Sequence, residues 1–590
     1  MKVLTIIGLI LVIALPVLAQ DQKPVSGWPL ILQDYRDGII TLDQKAQLAL
    51  TLLTNPENLP KRYQIDHPMR DATTMILDVM TDKDRINPGI IYQYNLALDR
   101  LTKQKIYDTP EGHFRIHYDT TGTHVVYQAT VDVNPADGVP DYVNRTGEYF
   151  ERAWTFQTDT LGYDTPPPDG SSGGGTDLYD VYMHRYSGAY GVTFPEQYSN
   201  DRPGRSYDMI SYIYVDPAYN GFGYTDRTLP MKVTSAHEFF HAVQMAYNAN
   251  AGVWFMENCA VWMEENMWDD INDCYDYMPN FFNNPHKTLM TYDGSFEYGA
   301  FVWPTYLDER YGRDIIKTIW EFAIYNDALN SVLFVLEEFY SGIMVDYPAF
   351  ATWNYITGSR NDGNHYQEAS GYDQVRIMRT HNSYPVTDCP SLAQPGTLGC
   401  NYIQFSRNNH HGKLRIHFTA NSGIWVVPVV KSISTNQHEF DEIILDSNYR
   451  DGEIEINGLE NYVTVTIIPC LVYGTSSNFA YSAELDTLTD IEEESRSLPT
   501  EFTLRGNYPN PFNGSTIISF DAPATYEGLG SITIYDQLGR QVSTRDLNIL
   551  SGQNNVAINL TSEGIKASGM YYYKIAANNY AFYGKMTYLK

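Results

Sequence analysis

Apolar residues recur at helical spacing through the first hundred positions. LDQKAQLALTLL (42–53) and IIYQYNLALDRLTKQ (90–104) each place them on one face, so region 20–105 is predicted to be mostly helical. From His113 the period changes to two: FRIHYDTTG alternates, HVVYQATVDV continues the β character, and SYIYVDPAY reads as a further strand. The helical period returns around Val233, Ala236, Phe239, Phe240 and Val243, with Pro230 suited to a first turn, and again in YGAFVWPTYLDERYG and DIIKTIWEFA. Between Arg376 and Glu484 the chain breaks into short strands, among them KLRIHF, GIWVVPVVKSI and NYVTVTIIP, which suggest a β-sandwich. An acidic stretch, 487–501, reads as a linker before a last strand-rich segment, 502–590. The expectation is an α+β multidomain protein: a helical N-terminal region (20–105), a mixed domain over 106–375 and two β-sandwich domains over 376–486 and 502–590.

At 590 residues the chain exceeds one core, and 43% hydrophobic with 19% charged residues argues against wholesale disorder. Residues 1–19, with Lys2, an apolar run and Ala19 before the expected cut, read as a signal peptide, and no later stretch has the length of a transmembrane anchor. A net charge of −31 repels phosphate backbones and sets nucleic acid aside as a partner. Five cysteines are too few for a disulfide framework; Cys389 and Cys400, near in sequence within a Pro/Gly-containing loop, are the expected disulfide. Asp132, Asn134, Asp137 and Asp141 around Gly138 could hold a structural Ca²⁺, and an Asx-rich turn capping the next helix explains the same residues. Asp169, Asp177 and Asp180 are weaker candidates for Ca²⁺. Region 20–105 is either a pro-segment or an integral subdomain.

The chemistry gathers in HEFFH. His237 and His241 lie four apart, hence on one helical face, where both imidazoles can bind one Zn²⁺, and Glu238 can reach a water on that metal as general base. A buried helix with satisfied histidines is the plainer account of the same five letters. Export, a preceding strand and a carboxylate at usable distance favour the metal. That carboxylate is Glu257, returned to the site by the turn in NANAG. Glu264, two turns further along the same face, is the fallback ligand or a carboxylate orienting a histidine.

WFMENCAVWMEE (254–265) resembles the W-x-x-E-G-x-A segment of gluzincin metallopeptidases. The resemblance implies a zincin-like catalytic domain with Glu257 as third zinc ligand; Trp254 and Ala260 match its frame and Asn258 replaces its glycine. Gln244 and Tyr247 stand where the metzincin pattern needs Gly and His, and Val261 where the thermolysin pattern needs Asp. The FEYGA segment is similar to the Tyr-x-x-Gly-Ala run of aminopeptidase-like members and offers Tyr298 as an oxyanion donor, with Tyr292 behind it, although Phe296 holds the aligned place. The order of motifs over roughly 110–480 also resembles large exported bacterial proteins described as metalloproteases. YPNPFN, IYDQLGR and SGMYYYKI resemble the C-terminal sorting domain of type IX secretion substrates, which implies passage through the periplasm, the type IX machinery as partner and a secreted or cell-surface location. The resulting expectation is a zinc endopeptidase of extracellular proteins or peptides, set against a non-catalytic surface-binding protein on a metallopeptidase-like scaffold.

Overall fold

In a computed structural model of the chain, residues 27–486 and 502–588 are described, apart from 66–68, 171, 187–188, 200–201, 221–222, 513–514, 524, 527, 538, 560–567 and 578–579. The signal peptide (1–19) and the linker (487–501) expected from sequence lie outside the described residues. The chain divides into two units, 1–486 and 487–590.

The first unit is built on a six-stranded mixed sheet. Its strands are β1 (Met69–Asp71), β2 (Lys105–Asp108), β3 (Phe114–Tyr118), β4 (Tyr179–Met183), β5 (Ala189–Tyr198) and β6 (Met209–Val215), ordered β1-β5-β6-β4-β3-β2. β1 runs parallel to β5, with Met69 opposite Ala189 and Asp71 opposite Gly191, and forms the edge. The central strands carry apolar residues on both faces, as strands covered on both sides do. Val181, Ile213 and Val215 point to one face and Tyr182, Tyr212 and Tyr214 to the other, following the two-residue alternation of a strand.

Each face has its own cover. Against the Val181 face pack three helices, Asp141–Trp154, Thr228–Tyr247 and Val253–Trp268, through Phe150, Phe239, Phe240 and Val243. Against the tyrosine face pack Trp28, Ile31, Leu52, Leu53 and Ile76. These come from helices α1 (Trp28–Arg36), α2 (Leu42–Thr54) and α3 (Thr73–Thr81), followed by α4 (Pro88–Ala97). In the full chain the N-terminal region is therefore a layer packed on the tyrosine face of the sheet. Removing it would bare a row of aromatic side chains, each contributing about 1.5–3 kcal/mol by its burial.

Numbering onward, α5 is Asp141–Trp154, α6 is Thr228–Tyr247 and α7 is Val253–Trp268. In α6 every residue except Thr228, Leu229 and Lys232 is buried, so the helix runs through the interior. Pro230 sits in its first turn, where its missing N–H costs nothing. Gly252, at φ 137°, makes the turn that lays α7 back against α6, in a backbone region closed to other residues.

Residues 379–486 form five-, four- and three-stranded sheets around a core of Phe405, Ile416, Phe418, Trp425, Val465 and Phe479, and they belong to the same unit as the six-stranded sheet, where Tyr402, Val430 and Ile468 join its core. The predicted Cys389–Cys400 disulfide is not formed: all five cysteines are free. Cys389 lies on strand Val386–Pro390 against Arg379, whereas Cys400 stands opposite Cys470 across an antiparallel pair. The loop between 389 and 400 separates its two ends into different sheets. The second unit is itself a small sandwich, a three-stranded and a four-stranded antiparallel sheet closing over Phe520, Ile532, Ile534, Ile558 and Tyr573.

Candidate metal centre

α6 and α7 bring His237, His241 and Glu257 together. The two Nε2 atoms lie 3.1 Å apart, and Glu257 Oε2 is 3.4 Å from one and 3.6 Å from the other. Four ligands held at about 2.0–2.1 Å around a tetrahedral Zn²⁺ stand roughly 3.3–3.4 Å from each other, so this triangle has the size of one zinc face.

Hydrogen bonds fix what those atoms offer. His237 Nδ1 donates to Glu264 Oε1 at 2.6 Å. Gln244 donates through Nε2 to the Met256 carbonyl at 2.9 Å, which turns its Oε1 towards His241 Nδ1 at 2.8 Å, so that ring must also donate through Nδ1. Both Nε2 atoms of the neutral rings are then bare lone pairs. Glu257 Oε1 accepts the Thr74 hydroxyl, while its Oε2 is buried without a hydrogen-bond donor. Three acceptors converge with no hydrogen between them, and that arrangement is stable only around positive charge. Burial disfavours charge on His237, yet its bonds to Glu257 and Glu264 outweigh burial and push its pKa well up. Burial likewise opposes the Glu257 carboxylate, which His237 and His241 nonetheless hold far below the usual range. Both shifts express the pull of this cluster for positive charge. The donor set fits Zn²⁺: two imidazoles oriented by a carboxylate and an amide, plus one carboxylate.

The sequence-derived residues fall as follows. His237, His241 and Glu257 meet. Glu264 orients His237, the second of the two roles open to it. Glu238 lies beside them with Oε2 accepting from Thr193 Oγ1 at 2.7 Å and Thr73 Oγ1 at 3.2 Å. Burial, and then the charge of Asp71, push its pKa well up. A Cβ on Gly191 would stand 2.6 Å from Glu238 Oε1, so this glycine makes room for the carboxylate. The Tyr298 ring stacks over His237 with centroids 6.5 Å apart, and burial followed by the charges of Glu257 and Asp71 keeps its phenol protonated. Tyr292 instead accepts from Trp28 Nε1 at 2.7 Å in the N-terminal core.

The calcium candidates serve a turn. Asp132 accepts the amides of Asp137 and Gly138, Asp141 those of Val133 and Asn134, and Asp137 that of Val139. These bonds close an Asx-rich turn before the helix, and no side chain caps the helix itself. Asp169 and Asp180 pair with Arg100.

Sequence reasoning missed the N-terminal contribution. Asp71 Oδ2 lies 3.8 Å from His241 Nε2, and Asp71, His237, His241 and Glu257 each place a ligand atom within 4.8 Å of the others. Thr73 and Thr74 hold Glu238 and Glu257. Asp71 also accepts from the Thr73 amide at 2.9 Å, so DATT before an apolar run looks like a helix cap and nothing more. Next to it, Arg70 pairs with Glu264 and Asp273 and covers the Tyr277 ring at 4.4 Å.

Residues 507–587 match the family described as a secretion system C-terminal sorting domain, on the sandwich of the second unit. The chain is a secreted or cell-surface protein. Its sorting domain is that of type IX substrates, whose partner is the type IX secretion machinery. Among the described residues no single helix is long and apolar enough to cross a membrane. Residues 203–449, which include α6 and α7, match a family of unknown function, DUF6055. No curated protein matches the chain. Among solved structures it is similar to a biofilm-associated protein (BSP domain) at 11% identity, covering 30% of this chain and 45% of that one, with a TM-score of 0.13. It is also similar to a β-glucuronidase from Ruminococcus gnavus in complex with D-glucuronic acid, at 8% identity, covering 32% and 36%, with a TM-score of 0.11. The chain thus spans less than half the length of either, and neither likeness bears on function.

Proposed function

We propose that this chain is a zinc-dependent peptidase of the gluzincin type that acts on extracellular proteins or peptides. The observation that carries the reading is the triangle of nitrogen and oxygen atoms, 3.1–3.6 Å apart, on His237, His241 and Glu257. A bound Zn²⁺ would supply Lewis acidity towards a scissile carbonyl and acidify a water. Glu238, high in pKa and held by Thr73 and Thr193, would take the proton of the attacking water and deliver it to the leaving amine. Tyr298, whose ring lies against His237, keeps its O–H and would donate to the developing oxyanion.

A second reading, a non-catalytic binding protein on this scaffold, is favoured by one feature. His237, Glu238, His241 and Glu257 are each at most 4% exposed, and the cavity at the site measures about 10 Å³. Metal analysis and hydrolysis of a generic protein substrate separate the two, both measured with Asp71 also replaced by Ala. Stoichiometric zinc, with hydrolysis reduced at least about 100-fold by Glu238→Gln while zinc is retained, supports the peptidase. Absence of zinc refutes it, and zinc without hydrolysis selects the binding protein.

A further inference from the structure

The catalytic arrangement of two imidazoles and one carboxylate requires an open fourth position, with the general base facing it. In this chain that position has an occupant from the chain itself. Asp71 Oδ2 stands 3.8 Å from His241 Nε2, and the Thr73 hydroxyl touches both the Asp71 carboxylate, at 2.5 Å, and Glu238, at 3.2 Å. An attacking water has to touch both the metal and the general base, so Asp71 fills the space of that water. Asp71 is placed firmly. The Thr73 amide and hydroxyl hold its carboxylate from behind at 2.9 and 2.5 Å. Its neighbour Arg70 is bound to Glu264, the carboxylate that orients His237, at 3.6 Å, and to Asp273. β1 is three residues long and pairs along β5 at the sheet edge, Asp71 lying opposite the Gly191 that makes room for Glu238. The remaining cavity, lined by Arg70, Tyr190, His237, Glu238 and Glu264 among others, has a volume of about 10 Å³, room for one water and for no peptide.

We propose that Asp71 is the fourth ligand of the metal centre and that strand β1 holds the site latent, so that a peptide reaches the metal only when β1 leaves the edge of β5. This rests on the metal reading above and names the regulation of that site. Four protein ligands make a closed site, as in structural zinc centres, and withdrawal of one makes it a catalytic one. Asp71 and Glu238 meet the same Thr73 hydroxyl, so one carboxylate covers metal and base together. The N-terminal layer has two roles on this account. Its helices cover the tyrosine face of the sheet permanently, and β1 alone is the removable piece.

The test uses the full chain loaded with Co²⁺ and read by its visible absorption, which reports ligand number without requiring turnover. Acetohydroxamate is the probe for an open position. The wild-type spectrum is expected to resist it, while Asp71→Ala binds it with a clear spectral change and Asp71→Asn is intermediate. If β1 is withdrawn in about 1% of molecules, the wild-type affinity for the probe is roughly 100-fold below that of Asp71→Ala. Wild-type chain that takes acetohydroxamate as tightly as Asp71→Ala overturns the proposal, and so does wild-type chain that resists it if a folded Asp71→Ala resists equally. The wild-type measurement stands by itself if a variant fails to fold. A wild-type chain that binds no cobalt overturns the metal reading itself, an outcome distinct from cobalt bound in an open site.

Discussion

Glu257 and Glu264 are both buried carboxylates on one face of α7, and the structure assigns them unequal tasks. Glu257 contributes Oε2 to the ligand triangle, 3.4 Å from His237 Nε2, whereas Glu264 touches the opposite nitrogen of that ring at 2.6 Å. Glu264→Gln keeps an acceptor for the Nδ1–H and loses only charge. A group that orients a metal-binding imidazole contributes about 10–100-fold to metal affinity, so Glu264→Gln should weaken zinc by about 1.4–2.7 kcal/mol. Glu257→Ala removes a ligand together with a buried carboxylate that lies 3.4 Å and 3.6 Å from the two imidazoles. Its loss should exceed the upper end of that range, to more than about 1,000-fold or ~4 kcal/mol. The assay is competition for Zn²⁺ against a chromophoric chelator, with circular dichroism to verify folding. Glu264→Ala is the poorer probe, because it also removes one of the two carboxylates that pair with Arg70. The reasoning is refuted if Glu264→Gln weakens zinc as much as Glu257→Ala, or if neither variant weakens it.

Gly191→Ala would place a Cβ 2.6 Å from Glu238 Oε1 and from Thr234 Cγ2. It should leave zinc content intact and lower hydrolysis in an Asp71→Ala background about 100-fold, the scale of an ångström-sized misplacement of a catalytic group; unchanged turnover would contradict this. Cys400 and Cys470 face each other across two antiparallel strands, so the exported protein should present three titratable thiols among its five cysteines under denaturing conditions; five would show that the pair stays reduced. Burial pushes the His184 pKa down to about 3, with Lys103 and His124 adding to it. The unfolded chain therefore binds this proton first, and stability should be full above about pH 6.5 and fall towards pH 3 by at most ~1.4 kcal/mol per pH unit from this group, a slope that His184→Phe should reduce in acid denaturation.

What the sequence conveyed depended on how local the signal was. His237, Glu238 and His241 obey a four-residue helical period, and Glu257 follows a turn that ends in a glycine, so all four were legible. The role of Glu264 was narrowed to two choices, which only the direction of the His237 ring decides. Asp71 was invisible because its side chain does two things, and the nearer one, accepting the Thr73 amide, already accounts for an Asp before a helix. Its second contact is with a histidine 170 positions away, which no periodicity reports. The cysteines failed for a related reason. Nearness in sequence suggested Cys389 with Cys400, but strand pairing sets Cys400 opposite a residue 70 positions on. The helical N-terminal region was recognised, but not the sheet face it covers, because that partner lies more than a hundred positions on, where the alternation Tyr212-Ile213-Tyr214 makes both faces of the strand apolar.

The metal centre draws on parts of the chain that meet at different moments. His241 and Glu257 are 16 positions apart on two helices joined by a short turn, whereas Thr73 reaches Glu238 over 165 positions and Thr74 reaches Glu257 over 183. Short loops close before long ones, so the two-helix hairpin assembles a ligand set first and the N-terminal strand arrives on it later. On the metal reading, an ion would enter while the hairpin is still bare and be roofed afterwards. Once β1 is seated, the ion would leave no faster than that strand opens, so the rate at which a chelator strips it would report the opening of the fold, while the equilibrium competition would still report affinity.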